Sequence, residues 1–206
     1  MKYFNRFTIL CMIWLTALNL FVNADNQTIG TITEQPNTPI PVNITVPSGN
    51  CFEFLLYGSG VQIYQCVTNG SSTQWSLVGP DAYLINDIKS ENFTPQYEAV
   101  HHYFQKTPVN DGKITWESII YEDTSLVIAK LIAQSPSPDG SENIAWLKTQ
   151  ATSNQGKGAF ENITYVLRIN SKGGVAPPTA QCGTTYQNGT LISSDYTTEY
   201  WYFSAC

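Results

Sequence analysis

The sequence predicts an all-β chain, a single-domain antiparallel β-sandwich or barrel with two disulfides, and three observations carry that prediction. Beyond Gly49 the apolar residues recur at every second position rather than at helical spacing. Short runs of this kind are separated by Gly, Pro and Asn turn chemistry, as in antiparallel sheets. Aromatic and β-branched side chains, which fit a pleated and half-buried surface, are plentiful within the runs.

Taken in order, residues 1–24 read as a secretory signal peptide. Lys2 and Arg6 give a positive start, Phe7 to Val22 is largely apolar, and Val22-Asn23-Ala24 offers compact residues for cleavage. The apolar run is a little short for a membrane span of about 20 residues, and no later stretch is long and apolar enough to cross a bilayer. The expected product is a secreted, extracellular chain without a membrane span, beginning at Asp25.

Residues 25–49 form an extended N-terminal arm, because Pro36, Pro39, Pro41 and Pro47 suppress both helix and internal ladder pairing. Sequons at Asn26 and Asn43 mark the arm as glycosylated, and four more follow at Asn69, Asn92, Asn162 and Asn188. Each sequon that is used must lie on the surface.

Residues 50–206 form the β domain. Strands are legible at 52–56, 61–67, 74–78, 100–104, 114–121, 126–133, 146–151, 162–170 and 196–203. Turns are expected at Gly58-Ser59-Gly60, Asn69-Gly70, Gly79-Pro80, Asn110-Asp111-Gly112, 136–140, 154–158 and Lys172-Gly173-Gly174. Residues 82–92 are the one stretch left open, and could form a short helix over the end of the sheet. In the strand at 162–170, Ile163, Tyr165, Leu167 and Ile169 alternate with Asn162, Thr164, Val166, Arg168 and Asn170. The second set therefore reads as the solvent-facing side.

Cleavage after Ala24 would remove two of the ten Lys and Arg, leaving eight against sixteen Asp and Glu and a net charge of −8. Nucleic acids and anionic membrane surfaces call for basic patches, so such an acidic chain argues against both. Cys51, Cys66, Cys182 and Cys206 remain, an even number in an oxidising compartment and without Cys-x2-Cys spacing. Two disulfides are expected rather than a metal site, with three connectivities open.

Candidate chemistry is sparse, and neither metal nor cofactor is expected. His101 and His102 are the chain's two histidines, the natural candidates for acid–base catalysis in a secreted hydrolase. In a strand they would point to opposite faces, so they could not share one metal. Arg168 is the sole arginine of the processed chain and lies before a Gly-Gly turn that could help cradle an anion; the competing reading is an ion pair with a carboxylate. Trp116 and Trp146, with Trp75, Trp201 and the Tyr-rich stretch at Tyr196, Tyr200 and Tyr202, could form a sugar-stacking platform; packing within the sheet is the competing reading. No Gly-x-Ser-x-Gly elbow is present.

Several segments are similar, in order, to a family catalogued as a domain of unknown function, number 3455. They are Gly60-Val61-Gln62-Ile63-Tyr64-Gln65-Cys66, Trp75 with Gly79-Pro80-Asp81-Ala82-Tyr83-Leu84, His101-His102, Trp116-Glu117 and Ile144-Ala145-Trp146-Leu147. The most specific is Arg168-Ile169-Asn170-Ser171-Lys172-Gly173-Gly174-Val175-Ala176-Pro177, and Tyr200-Trp201-Tyr202-Phe203 closes the series. The chain departs from the pattern at Asp123-Thr124-Ser125, Lys148 and Ile192-Ser193-Ser194, which read as surface and turn changes. The resemblance implies a secreted β fold and the pairing of Cys66 with Cys182, which leaves Cys51 for Cys206; it implies no activity. Some members carry the label malate dehydrogenase, but Gly58-Ser59-Gly60-Val61-Gln62-Ile63 lacks the third glycine and following helix of a dinucleotide site.

The resulting expectation is a secreted or cell-wall glycoprotein that acts by binding or as a structural component, with an extracellular carbohydrate or cell-wall component as its candidate partner. The alternative is a secreted hydrolase using His101 or His102.

Overall fold

A computed structural model of the chain describes residues 27–70, 72–89, 93–105 and 112–206. The sequons at Asn26 and Asn92 and most of the Asn110-Asp111-Gly112 turn lie outside them. Eight strands run in a meander and close on themselves: β1 (Asn50–Asn69), β2 (Ser72–Ile85), β3 (Val100–Gln105), β4 (Lys113–Ser118), β5 (Leu126–Ser135), β6 (Trp146–Gln155), β7 (Ile163–Gly173) and β8 (Leu191–Ala205). Every neighbouring pair is antiparallel, and β8 returns to β1. Of the sandwich and barrel alternatives, the chain takes the closed barrel.

Closure gives the sheet an inside, and the register assigns each residue to it. Around one level Tyr200 lies opposite Leu56 on β1 and opposite Arg168 on β7, and His102 lies between Ala82 and Trp116. One end of the interior is filled by Phe54, Phe160, Tyr202 and their aliphatic neighbours, with the Phe54 and Tyr202 rings stacked at 4.8 Å. The β4–β5 and β6–β7 connections close that end, where Thr124 N–H donates to Lys157 O and Phe160 N–H to Ser125 Oγ.

Two expected turns are strand throughout, and a third, Lys172-Gly173-Gly174, begins as the end of β7, where Lys172 and Gly173 lie opposite Thr197 and Tyr196. Gly58-Ser59-Gly60 runs through the middle of β1, opposite Tyr83 on β2 and Thr197 on β8. These glycines serve close packing rather than reversal: a Cβ on Gly58 would sit 2.8 Å from the Tyr200 ring, and one on Gly60 would sit 2.2 Å from Asp81 O. Gly79-Pro80 likewise lies within β2, beside a bulge between Ile63 and Tyr64, where a missing ladder donor is tolerated. The reading of 82–92 as a helix is also corrected, since Ala82 to Ile85 continue β2 in register with β1 and β3; residues 90–92 lie outside the described set.

The arm lies along the outside of the barrel. Ile44, Ile32, Ile40 and Val46 pack with Leu55, Trp146, Leu167, Ile169, Trp201 and Phe203 into a second apolar cluster, beyond the one inside. Asn86 holds the arm's start, accepting from Gly30 N–H at 2.7 Å and donating to Thr28 O at 2.8 Å. Lys148, one of the departures from the family pattern, donates to Thr45 O at 2.7 Å. The sheet is thus apolar on both faces where the arm covers it.

Disulfides link Cys51 to Cys206 and Cys66 to Cys182, with Cα separations of 5.1 and 5.3 Å. The first joins the start of β1 to the end of β8, and the second ties the far part of β1 to the β7–β8 connection. Asn43, Asn69, Asn162 and Asn188 are all exposed, as use of their sequons requires. Among the described residues no helix is long and apolar enough to cross a membrane.

Candidate functional site

Toward the end of the barrel away from Phe54 and Phe160, the interior is not filled. A partly enclosed cavity of about 260 Å³ remains there, with walls supplied by all eight strands. Its lining is mainly apolar, with Leu77, Phe104, Ile114, Leu131 and Leu147 prominent, and its polar side includes Gln62, His102, Arg168 and Tyr200. The β5–β6 connection contributes Ile144 and Ala145 to the lining. That connection is fixed to the end of β7 by Ile144 N–H donating to Gly173 O at 3.0 Å and Gly173 N–H donating to Asn143 Oδ1 at 2.8 Å.

The two histidines do separate to opposite faces. His102 is inside, 3% exposed, stacked on Trp116 at 4.6 Å and 9°, and edge-on to Tyr200 at 5.0 Å. Its Nδ1–H donates to Thr115 O at 2.8 Å, which leaves Nε2 as the acceptor. Burial, with smaller help from the Arg168 and His101 charges and against the opposing effect of the Thr115 carbonyl, pushes its pKa down to about 3. So low a value makes it a weak base at neutral pH, and no carboxylate forms an ion pair with it among the described residues.

His101 is on the outer face, where Nε2 meets Asp81 Oδ1 at 2.9 Å and the ring is sandwiched between Tyr83 at 4.7 Å and Tyr103 at 4.8 Å. Tyr103 donates to Glu117 Oε2 at 2.7 Å, and burial together with that carboxylate raises its pKa to about 12. A histidine–carboxylate contact of the sort a hydrolase would use is present, but it sits in a shallow depression. No serine, threonine or cysteine lines that depression.

Arg168 overturns two expectations. It does not face solvent: opposite Tyr200, it lines the cavity. A bulge between Ile163 and Tyr165 shifts the strand's phase, so Ile163 and Val166 point inward with Arg168, while Tyr165, Leu167 and Ile169 point outward beneath the arm. Nor does it form the anticipated ion pair. Among the described residues the ion pairs are His101–Asp81, Lys157–Glu161 and Lys172–Asp139. Arg168 Nη2 donates to Ala145 O at 2.9 Å, and its buried Nε has no partner.

The expected sugar-stacking platform does not form. Trp116 is in the barrel wall, whereas Trp146 and Trp201 are buried in the cluster under the arm. Trp75 is half-buried and packs edge-on to Tyr186 at 5.4 Å. Among the described residues, no three His, Cys, Asp or Glu side chains gather where they could hold a metal ion.

Sequence reasoning missed Gln62 and Tyr64. A signal was present in Gly58, Gly60 and Gln62, which share one face of β1 by alternation. A face bearing two glycines is crowded, so a polar side chain on it must be interior. Tyr64 Oη donates to Gly174 O at 2.8 Å, and Tyr196 and Tyr200 share a hydroxyl–hydroxyl bond of 3.0 Å. Burial raises the pKa of all three tyrosines, while Arg168 acts in the opposite sense.

Fold and cavity together define an eight-stranded antiparallel barrel that encloses a small, mainly apolar chamber. Residues 47–204 match the family of proteins of unknown function called DUF3455, and the chain belongs to that family. No curated protein and no solved structure matches it.

Proposed function

We propose that this protein works outside the cell as a binding protein for a small, largely apolar molecule held inside the barrel. The observation that carries this reading is the unfilled, mostly apolar chamber of about 260 Å³ in a barrel whose other end is tightly packed. Interiors normally pack to near-crystalline density, and a void of this size forfeits the contacts that would stabilise the fold. Eight strands make a barrel just wide enough to be filled by side chains or to hold one small ligand. The volume lies slightly below the range of about 300–1,000 Å³ for drug-sized ligand pockets, which favours a compact molecule.

A sugar would need many more hydrogen-bonding groups than these walls offer, so the apolar lining weighs against the carbohydrate partner suggested by the tryptophans. The signal-like start and two disulfides support an extracellular setting. A hydrolase built on His101 draws support from the 2.9 Å contact with Asp81, but the chamber favours binding.

The test is a titration of the folded, disulfide-bonded protein with N-phenyl-1-naphthylamine, an uncharged apolar dye that fluoresces out of water. Saturable enhancement is expected, and it should be lost in Ile114→Trp and Leu147→Trp, each of which fills the chamber from its wall. Absence of saturable binding, or undiminished binding by both folded variants, would refute the proposal.

A further inference from the structure

We infer that the cavity selects a small carboxylic acid with an apolar body, its carboxylate held by Arg168 and assisted by Gln62 and Trp116. The inference rests on the reading of the barrel interior as a ligand site and adds the chemistry of the ligand.

The fully buried side-chain polar atoms of the cavity wall that lack a partner are all donors. Arg168 Nε, Gln62 Nε2 and Trp116 Nε1 are buried without a hydrogen-bond partner, and the Gln62 and Trp116 side chains are each 2% exposed. The Gln62 amide lies close enough to Tyr196 to favour its phenolate, yet Nε2 makes no well-formed bond. Among the described residues no Asp or Glu lines the chamber to balance the guanidinium. Partly withdrawing a charge from water without a counter-charge is costly, and leaving buried N–H donors unpaired adds to the cost. An incoming group that accepts several hydrogen bonds and carries a negative charge removes both deficits at once.

A carboxylate has that character, and its two oxygens match the fork of a guanidinium. The remaining donors have a place in this scheme. The Gln62 amide turns about a broad terminal torsion, so it can meet a ligand oxygen without backbone movement. Trp116, on β4, offers a single N–H to the same cavity. His102 lies beside them as a neutral ring that supplies no competing charge at neutral pH. The positive charge of Arg168 also bears on its neighbours, since it opposes the effect of burial on Tyr64, Tyr196 and Tyr200.

The apolar part of the lining, with Leu77, Phe104, Ile114, Leu131 and Leu147, accepts the body of the molecule. A chamber of about 260 Å³ has the volume of roughly nine liquid waters at ~30 Å³ each, which suits a medium-chain or one-ring acid rather than a long fatty acid.

The experiment is displacement of the bound dye at neutral pH by octanoate, 1-octanol and methyl octanoate, which share a chain and differ in charge. Octanoate is expected to displace the dye at a concentration at least tenfold lower than either neutral compound. The difference should disappear in Arg168→Met and shrink severalfold in Gln62→Leu, each read against that variant's own affinity for the dye. Equal displacement by acid and alcohol in the unmodified protein, or a preference that survives in Arg168→Met, would overturn the inference and leave the proposed binding function standing. If neither the dye nor octanoate binds, by fluorescence or by a shift in melting temperature, both are overturned. Should Arg168→Met fail to fold, the comparison of acid, alcohol and ester on the unmodified protein decides the matter.

Discussion

His102 makes the stability of this protein sensitive to mild acid, by an amount that follows from its surroundings. Its folded-state pKa of about 3 lies below the ordinary histidine value of 6.5, because the charged form is desolvated against Trp116 and Tyr200 and faces the Arg168 guanidinium. As pH falls through the unfolded value, the unfolded chain takes up a proton that the folded chain refuses. Stability present above about pH 7 is therefore lost on acidification, and the loss from this group levels off only below about pH 3. Each pH unit inside that window is worth about 1.4 kcal/mol, so His102 should cost about 2 kcal/mol between pH 7 and pH 5.

Urea unfolding of the protein and of His102→Asn at both pH values isolates this contribution. Asparagine keeps a donor near the position of Nδ1 and does not titrate. His101, the carboxylates and the tyrosines remain in both proteins, so their contribution cancels in the difference of slopes. The variant should be less stable at pH 7 but should lose about 2 kcal/mol less than the parent on going to pH 5. Equal losses in the two proteins, or a His102 imidazole resonance titrating near 6.5 in the folded state, would refute the reasoning.

Two further expectations concern the frame. Ile44→Ala removes a fully buried side chain that joins the arm to the outer cluster, and should lower the unfolding free energy by about 2–5 kcal/mol, read from the urea midpoint at constant slope. The disulfides should be coupled through the chain. Cys66–Cys182 spans 116 residues and Cys51–Cys206 spans 155, so each closed alone would contribute about 5 kcal/mol. With the outer link present the inner one divides an existing ring, and either single removal by paired Cys→Ser substitution should cost about 4 kcal/mol. Removing both should cost about 9 kcal/mol, enough to leave the chain largely unfolded given a typical stability of about 5–15 kcal/mol. Single losses near zero would contradict this.

The strand content and the disulfide pairing were legible because they depend on local alternation and on an ordered series of segments. The face of Arg168 was not. Alternation in 163–169 shows two sets of residues but does not say which is wet, and a bulge beside Thr164 alters the phase at a point where composition gives no sign. The simple rule that the more apolar side is the inside fails because Leu167 and Ile169 lie under the arm. Gly58 and Gly60 misled for a related reason. Glycine marks both chain reversal and close approach, and the bulk that excludes a Cβ at Gly58 comes from Tyr200, more than 140 positions away. The pairing that makes Arg168 a half-buried, inward-facing cation is equally non-local, requiring β7 between β6 and β8 around a closed ring.

Closure between the first and the last strand also shapes how the molecule is made. β1 must wait for β8, and the arm must wait for Trp201 and Phe203, which follow it by about 150 residues. During synthesis the early strands hold an open edge and an uncovered apolar face until β8 emerges, and such distant pairing is intrinsically slow to form. Completion then removes both hazards together, because a closed ring offers no edge to another chain and the Cys51–Cys206 bond locks the seam where the ring was joined. The seam thus acts as an assembly checkpoint: a chain interrupted before β8 would keep its edge exposed to chaperones, proteases and other copies of itself.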